Sequence, residues 1–388
     1  MDTEAILFGH FQSGEVESLV KIPDLTYQGQ VNSVGGGLSG RVHGNLFSKI
    51  IGIGNLFAAW REFSRSKKKK KDIAQLEFNL EENLFTLHEE LSRKIYTHQP
   101  YESFYICDPK LRHIHKASVR DRVLHQAVFR TLYPIFNKQF IFDSYSSRLS
   151  KGTHAAVKRL EAFAVKAGQN NRKNIFALKC DVSKFFDSID QNILLKLLIK
   201  KVDDVGTIWL LEKIIRSFKK GLGRGLPLGN VTSQLFANVY LNELDQFVKH
   251  ELKAKYYIRY CDDFLILSGN KNWLVKQIKP IRIFLHKELK LELHPNKVFI
   301  RKLRQGIDFL GYVVLPYYTV LRTKTKKRIF KKIRQRKLEF ETGKISKGSF
   351  EQSLQSYLGI LRHCEGYKIR EKINKLADYP GFPLEFTP

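Results

Sequence analysis

The stretch IRYCDDFLIL, residues 258–267, sets Asp262 and Asp263 side by side inside a run that is otherwise apolar and rich in β-forming residues. Burying an unpaired carboxylate is costly, so any fold of this chain must give these two acids either water or a partner. The flanking runs AKYYIRYCD and DFLILSG read as strands, which makes the pair the tip of a hairpin. Two acids at a hairpin tip are most often plain turn chemistry, but apolar strands on both sides argue against a merely solvated turn.

A third acid changes the reading. Asp181 ends the short apolar strand in IFALKCDVSKFFDSI, residues 175–189, which then passes into a turn and helix. If these strands are neighbours in one antiparallel sheet, three carboxylates converge at its edge. Neighbouring carboxylates repel unless a cation lies between them, and hard divalent cations take carboxylate oxygens. Two such ions about 4 Å apart can activate a 3′-hydroxyl and neutralise a leaving pyrophosphate. Side chains on adjacent strand residues point opposite ways, so Asp262 and Asp263 are equivalent only if the turn re-aims one of them.

Charge narrows the partner. With 67 Lys plus Arg against 38 Asp plus Glu, the chain carries +29, a field that attracts polyanions. Nucleic acid is favoured, with ribosomal and membrane-surface roles left open on charge alone. Cys107, Cys180, Cys261 and Cys364 are far apart and form no C-x-x-C pair, so neither a disulfide framework nor a zinc knuckle is expected. Asp2 and Glu4 stand where a signal peptide would be basic, and LFSKIIGIGNLFAA, interrupted by Lys49, is too short to span a bilayer. The expectation is a reduced, intracellular protein with no membrane contact.

Along the chain, residues 1–45 are glycine-rich and weakly periodic, an atypical N-terminal arm. RSKKKKK, residues 65–71, is either a solvated linker or a phosphate contact. Asp72 is placed to cap a helix, and Ile73, Leu76, Leu80, Leu84, Leu87 and Leu91 follow at helical spacing. SFYICDP predicts a strand and turn, and the segment after it a helix with Val123, Ala127 and Leu132 inward. Thr232 and Ser233 mark another helix start. From Arg322 to Lys337 there are ten Lys or Arg and no acid, backed by Ile329, Ile333 and Phe340, which predicts a helical unit with one intensely basic face.

In order along residues 72–370 these blocks resemble a reverse transcriptase. YCDD resembles the family's Y-x-D-D box, and KCDVSKFFDSID its first-aspartate block, in which Phe186 stands at the steric gate against a ribose 2′-hydroxyl; Phe185 or Phe186 could equally be core. KLRHIHKASVRDRV resembles the fingers block, implying that Lys110 and Arg112 grip the incoming triphosphate, with Arg122 structural. SYSSRLSKGTHAA resembles the template-tracking block, with Arg148, Lys151 and Gly152 near the strand's backbone. Lys297 in HPNKV matches a lysine near the triphosphate, a candidate proton donor or else a surface lysine. FLGY, with Leu310 and Gly311, resembles the primer support, beside Tyr260, and the basic helices after it resemble a thumb, where Lys327, Lys331 and Arg334 would grip the duplex.

The resemblance implies an α+β, right-hand polymerase fold: fingers and palm over residues 46–315, the palm an antiparallel sheet, and a basic helical thumb over 316–388. It implies RNA-directed DNA polymerase chemistry in which Asp181, Asp262 and the Val182 carbonyl hold two Mg2+ ions, or Mn2+ in their place, with Asp263 in support. The loop LPLGNVTSQ puts Leu228 where most relatives carry Gln, beside Gly229, and Gln234 where they carry Pro. With EFNLEENLFTLHEEL, FIFDSY and KGTHAA, it resembles reverse transcriptases of diversity-generating retroelements. Those copy a template-repeat RNA with errors at adenine and work with a small basic, oligomeric accessory variability protein. The implied partners are template RNA, the RNA–cDNA duplex, dNTPs and that protein, in the cytoplasm of a prokaryotic or phage-infected cell. The competing readings are a phage-defence enzyme, a group II intron-like enzyme, disfavoured because the residues after Gly311 suffice only for a thumb, and an inactive RNA-binding scaffold.

Overall fold

The computed structural model describes residues 44–107 and 111–377. The arm expected over residues 1–45 lies outside them as far as residue 43, as do Lys110 and residues 378–388. Nine strands make three sheets among the described residues. β1 (Glu102–Cys107) and β2 (Leu111–Lys116) form an antiparallel hairpin. The central sheet runs β4-β5-β3-β6 and joins β3 (Phe176–Asp181), β4 (Tyr256–Tyr260), β5 (Asp263–Ser268) and β6 (Phe299–Lys302), every neighbour antiparallel. β7 (Ile307–Phe309), β8 (Tyr312–Val314) and β9 (Thr319–Leu321) form a meander.

Strand alternation divides the molecule between two cores. Leu178 and Cys180 of β3, Tyr257 of β4, and Phe264 and Ile266 of β5 face a core closed by the helices Val231–Gln246 and Lys271–Leu289. That core continues through the helices Val119–Asn137 and Ile53–Ser64 into the expected fingers. Ala177, Ile258, Leu265 and Leu267 face the other way, under the helix Thr153–Ala167, in a core continuous with Ile329, Ile333, Phe350, Leu354 and Ile373 of the C-terminal helices. Because both faces are covered, these strands read as nearly unbroken apolar runs.

The C-terminal helices are Thr323–Glu341, Lys347–Leu361 and Tyr367–Ala377. On the first, Ile329 and Ile333 are buried while Lys324, Lys327, Lys331 and Arg334 stand exposed at helical spacing, the basic face the sequence predicts. Phe340 departs from expectation: it is exposed, with its ring stacked on Phe350 at 5.5 Å between centroids, because the helix runs past the edge of the core there. No helix among the described residues is long and apolar enough to cross a membrane.

The single helix expected over residues 72–91 is two, Lys71–Phe78 and Leu80–Ser92. Asn79 leaves helical geometry at φ −118°, ψ 49°, yet the apolar spacing carries across the break, so Ile73, Leu84, Leu87 and Leu91 still share one core. Asp72 is not the cap. It lies in the first turn after Lys70, because Lys116 and Arg122 each hold its carboxylate at 2.9 Å.

The N-terminal helix Leu46–Ile51 docks through one acid: Asp204 Oδ2 accepts the Phe47 N–H at 3.0 Å while Oδ1 accepts the Thr207 N–H at 2.8 Å. Gly206 makes the close approach possible, since a Cβ there would lie 2.6 Å from Phe47 Cγ. Overpacking of this kind typically costs about 1–3 kcal/mol. Gly206→Ala should therefore lower the urea midpoint with the m-value unchanged, and a midpoint equal to the parent's would show that Leu46–Ile51 and the helix Val205–Arg216, which carries Gly206, can part freely.

Candidate active site

The register of the central sheet brings the acids together. Asp181 is the cross-strand partner of Asp263, and Tyr260 pairs with Asp263 on the other side, which leaves Cys261 and Asp262 as a two-residue turn. Tight hairpin turns need a left-handed residue, usually Gly or Asn. Here Cys261 takes that conformation at φ +55°, a strain of order 1–3 kcal/mol for a residue with a side chain. The turn frees Asp262 from strand alternation and sets it near Asp181. Burial, then the charge of Asp181, push the Asp262 carboxyl above the usual carboxylate range. The Val182 N–H donates to the Asp262 carbonyl at 3.3 Å, tying the turn to the end of β3.

Two lysines answer three carboxylates. Lys297 Nζ donates to Asp181 Oδ1 at 2.8 Å. Lys179 Nζ lies 2.9 Å from Asp263 Oδ2 and donates to the Asp308 carbonyl at 2.8 Å. Asp263 Oδ1 is buried with no hydrogen-bond partner. Burial pushes the Asp263 carboxyl up to about 6, with Lys179 pulling it down and Asp181 and Asp262 pushing it further up. The adjacent acids are thus inequivalent: Asp262, in the turn, feels the charge of Asp181, whereas Asp263, paired with Asp181 across the strands, is bound to Lys179. Among the described residues no group of three or more His, Cys, Asp or Glu side chains is placed to hold one ion. The donors on hand are Asp181 and Asp262, with an unpaired carboxylate oxygen of Asp263, the cross-strand partner of Asp181. Such a hard-oxygen set fits Mg2+, which takes one or two carboxylates and keeps several waters.

Phe185 is buried in the core, and Phe186 is half-buried and packed against that core, their rings 5.3 Å apart. The Phe186 carbonyl accepts the Leu226 N–H at 2.8 Å, and the Leu228 carbonyl accepts the His115 N–H of β2 at 3.2 Å. The loop through Leu228 and Gly229, the latter at φ +120°, therefore bridges Phe186 to the β1–β2 hairpin. Gln234 follows in the first turn of Val231–Gln246, and Arg112 lies on β2, opposite Ile106. Arg122, bound to Asp72, is structural.

The expected template residues are engaged within the chain. Arg148 donates from Nη1 to the carbonyls of Ile141 and Ser144, at 2.7 and 2.9 Å, and from Nε to Asn137 Oδ1 at 2.8 Å. Lys151 Nζ donates to the Phe142 carbonyl at 2.9 Å and lies over its ring. These two side chains organise residues 137–151, with Gly152 as the N-cap of Thr153–Ala167. Tyr260 accepts from Thr153 Oγ1 at 3.3 Å. Leu310 and Gly311, at φ +51° and +89°, form the two-residue turn between β7 and β8, and the Gly311 carbonyl accepts the Arg322 N–H at 2.9 Å. Lys327, Lys331 and Arg334 lie exposed on the helix Thr323–Glu341.

Sequence reasoning missed Lys179 and Asp308. The signal for Lys179 was present: two residues before Asp181 on a strand, it must share that residue's face.

Comparison with known proteins fits these elements. The family described as "Reverse transcriptase (RNA-dependent DNA polymerase)" matches residues 107–314. Protein YkfC of Escherichia coli is 26% identical over 277 residues, covering 61% of this chain and 72% of YkfC. Group II intron-encoded protein LtrA of Lactococcus lactis is 26% identical over 307 residues, covering 60% of this chain, which spans about half, 49%, of LtrA. Among solved structures, apo telomerase from Candida tropicalis truncated from its C-terminal domain aligns at TM-score 0.43 with 14% identity, over 60% of this chain and 59% of that one.

In the metal-free protein, the Asp263 carboxyl should titrate near pH 6 by carbon-detected NMR. Lys179→Met should move that midpoint upward, since it removes the one neighbour that favours the ionised form. A parent midpoint below about 4, the ordinary value, would contradict the burial of this group.

Proposed function

The chain belongs to the reverse transcriptase family and has its α+β right-hand polymerase fold, and on that premise we propose that it makes cDNA from an RNA template by two-metal nucleotidyl transfer. The observation that carries this is the gathering of Asp181, Asp262 and Asp263 at one end of the sheet, with Phe186 and the Leu226–Leu228 loop joined by backbone hydrogen bonds. Asp181, Asp262 and the Val182 carbonyl would hold Mg2+, with Mn2+ as a substitute. Bound metal supplies the charge that activates the primer 3′-hydroxyl and stabilises the leaving pyrophosphate.

The chain's own residues do the positioning. Phe186 sets a ring against the sugar C2′ and so selects deoxynucleotides. Arg112 and Lys110 take the triphosphate, for which a fork of donors is suited. Lys297, whose ammonium reaches Asp181, is the candidate proton donor to pyrophosphate. The turn Leu310–Gly311 with Tyr260 supports the primer end, and the face carrying Lys327, Lys331 and Arg334 grips duplex phosphates.

The finer reading is mutagenic copying of a template-repeat RNA, as in diversity-generating retroelements, with an accessory variability protein as partner. LPLGNVTSQ supports it. Glutamine at 228 could hydrogen-bond the nucleotide sugar and hold it in register, whereas Leu228 cannot, so a mispaired geometry is penalised less. The similarity to LtrA favours a second reading, an enzyme serving a group II intron-like element. The error spectrum of the cDNA separates them.

Asp262→Asn and Asp181→Asn should each cut primer extension on RNA with Mg2+ by at least about 100-fold, the scale for removing a transition-state charge stabiliser. Retained activity in both would remove Asp181 and Asp262 from the chemistry, whereas a parent protein inactive with every RNA tried would favour the RNA-binding scaffold reading. Sequenced cDNA should carry errors concentrated at template adenines, and Leu228→Gln should reduce them; errors spread evenly over four bases would reject the mutagenic subtype.

A further inference from the structure

Arg259 is the largest fully buried side chain among the described residues, two positions before the Cys261–Asp262 turn. Its guanidinium has five N–H donors, and five acceptors meet it. Nε donates to Asp245 Oδ1 at 2.7 Å and Nη2 to Asp245 Oδ2 at 2.6 Å, a bidentate pair fully out of solvent. Nη2 also reaches Ser144 Oγ at 3.1 Å, and Nη1 reaches Asn238 Oδ1 at 3.3 Å and the Cys261 carbonyl at 3.1 Å. The partners are held in turn: Tyr257 Oη donates to Asp245 Oδ1 at 2.7 Å, and Asn238 Nδ2 to the Ser146 carbonyl at 2.9 Å. The backbone adds two bonds, Arg259 N–H to the Asp143 carbonyl at 3.0 Å and Tyr145 N–H to the Arg259 carbonyl at 2.9 Å.

One ion therefore touches three functional segments. Asn238 and Asp245 lie on the helix that begins in the Leu228–Gln234 loop, residues 143–146 lead into Arg148 and Lys151, and the Cys261 carbonyl belongs to the peptide that precedes Asp262. A buried ion pair often does no better for stability than an apolar pair of the same volume. Its retention here is better explained by geometry. The Cys261 carbonyl is fixed by Arg259 and the Asp262 carbonyl by the Val182 N–H, so both peptides flanking the Asp262 side chain are pinned while Cys261 sits in a strained left-handed conformation.

We propose that Arg259 is a positioning residue that aims Asp262 at the metal by holding the Cys261 carbonyl, and that through Ser144 and Asn238 it sets that turn relative to the template-side segment and the nucleotide loop. The proposal rests on the polymerase reading above only for its catalytic consequence, because ion binding can be measured without turnover.

Two variants test it, Arg259→Lys, which keeps the charge but not the fork, and Arg259→Met with Asp245→Leu, which replaces the pair by apolar volume. Mn2+ binding would be followed by calorimetry, primer–template affinity with an oligo(dT)-primed poly(rA), and dTTP incorporation as kcat and KM. The expected result in a folded variant is Mn2+ affinity weakened by about 10–100-fold, the scale for removing a group that orients a ligand. The kcat should fall by up to about 100-fold, as misplacement by 1 Å can produce. Primer–template affinity and the dTTP KM should stay near the parent values. A folded variant that binds Mn2+ and turns over as the parent does would overturn the proposal. So would loss of primer–template binding with Mn2+ affinity intact, or failure of both variants to fold, which would make Arg259 a folding requirement. Weakened Mn2+ binding together with a parent that extends no primer would uphold the positioning role and sink the polymerase reading instead.

Discussion

Repulsion among Asp181, Asp262 and Asp263 is the constraint on which the rest of the sheet depends. Lys297 and Lys179 neutralise two of the three, each by direct contact, and leave surplus negative charge at one end of β3 and β5. Neither lysine reaches its acid by chance of surface packing. The segment carrying Lys297 is laid along the end of β3 by His294 N–H to the Asp181 carbonyl at 2.7 Å and Ser183 N–H to the Glu292 carbonyl at 2.8 Å. Lys179 is delivered by strand alternation. A site that holds like charges together in this way favours a cation over any neutral occupant.

The same alternation explains how a small sheet serves a large protein. β3, β4 and β5 send alternate residues to the core shared with the Val119–Asn137 helix and to the core shared with the C-terminal helices. The Cys261–Asp262 turn lies where that alternation ends, and it is the device that lets Asp262 escape it. Left-handed non-glycine residues mark several turns of the chain, among them Cys261, Lys184 before Phe185 and Leu310 in the β7–β8 turn. Strained non-glycine residues at turns around a site are common where the surrounding structure over-determines them.

What the sequence revealed follows the physics of each feature. The carboxylate triad, the β4–β5 hairpin and the amphipathic helices were legible because period and local turn chemistry encode them. The break at Asn79 was not, since the apolar spacing runs unbroken across it and only the backbone leaves the helix. Roles of charged residues were the least legible. Arg148 and Lys151 read as template contacts, yet both spend hydrogen bonds on the chain's own carbonyls, and Asp72 read as a cap but serves as an anion for Lys116 and Arg122. Whether a charge faces solvent or a partner depends on segments distant in sequence, which no local pattern records. Arg259 was the exception that could have been found, because alternation places it on the same inward face as Tyr257.

Asp308 belongs to two structures at once. Its carbonyl takes the Lys179 ammonium, and its carboxylate takes Arg322 at 2.6 Å, the residue from which the basic Thr323–Glu341 helix starts. The start of the basic helix is thereby tied to Asp263 of the central sheet by a chain of polar contacts, Arg322 to Asp308, Asp308 to Lys179 and Lys179 to Asp263.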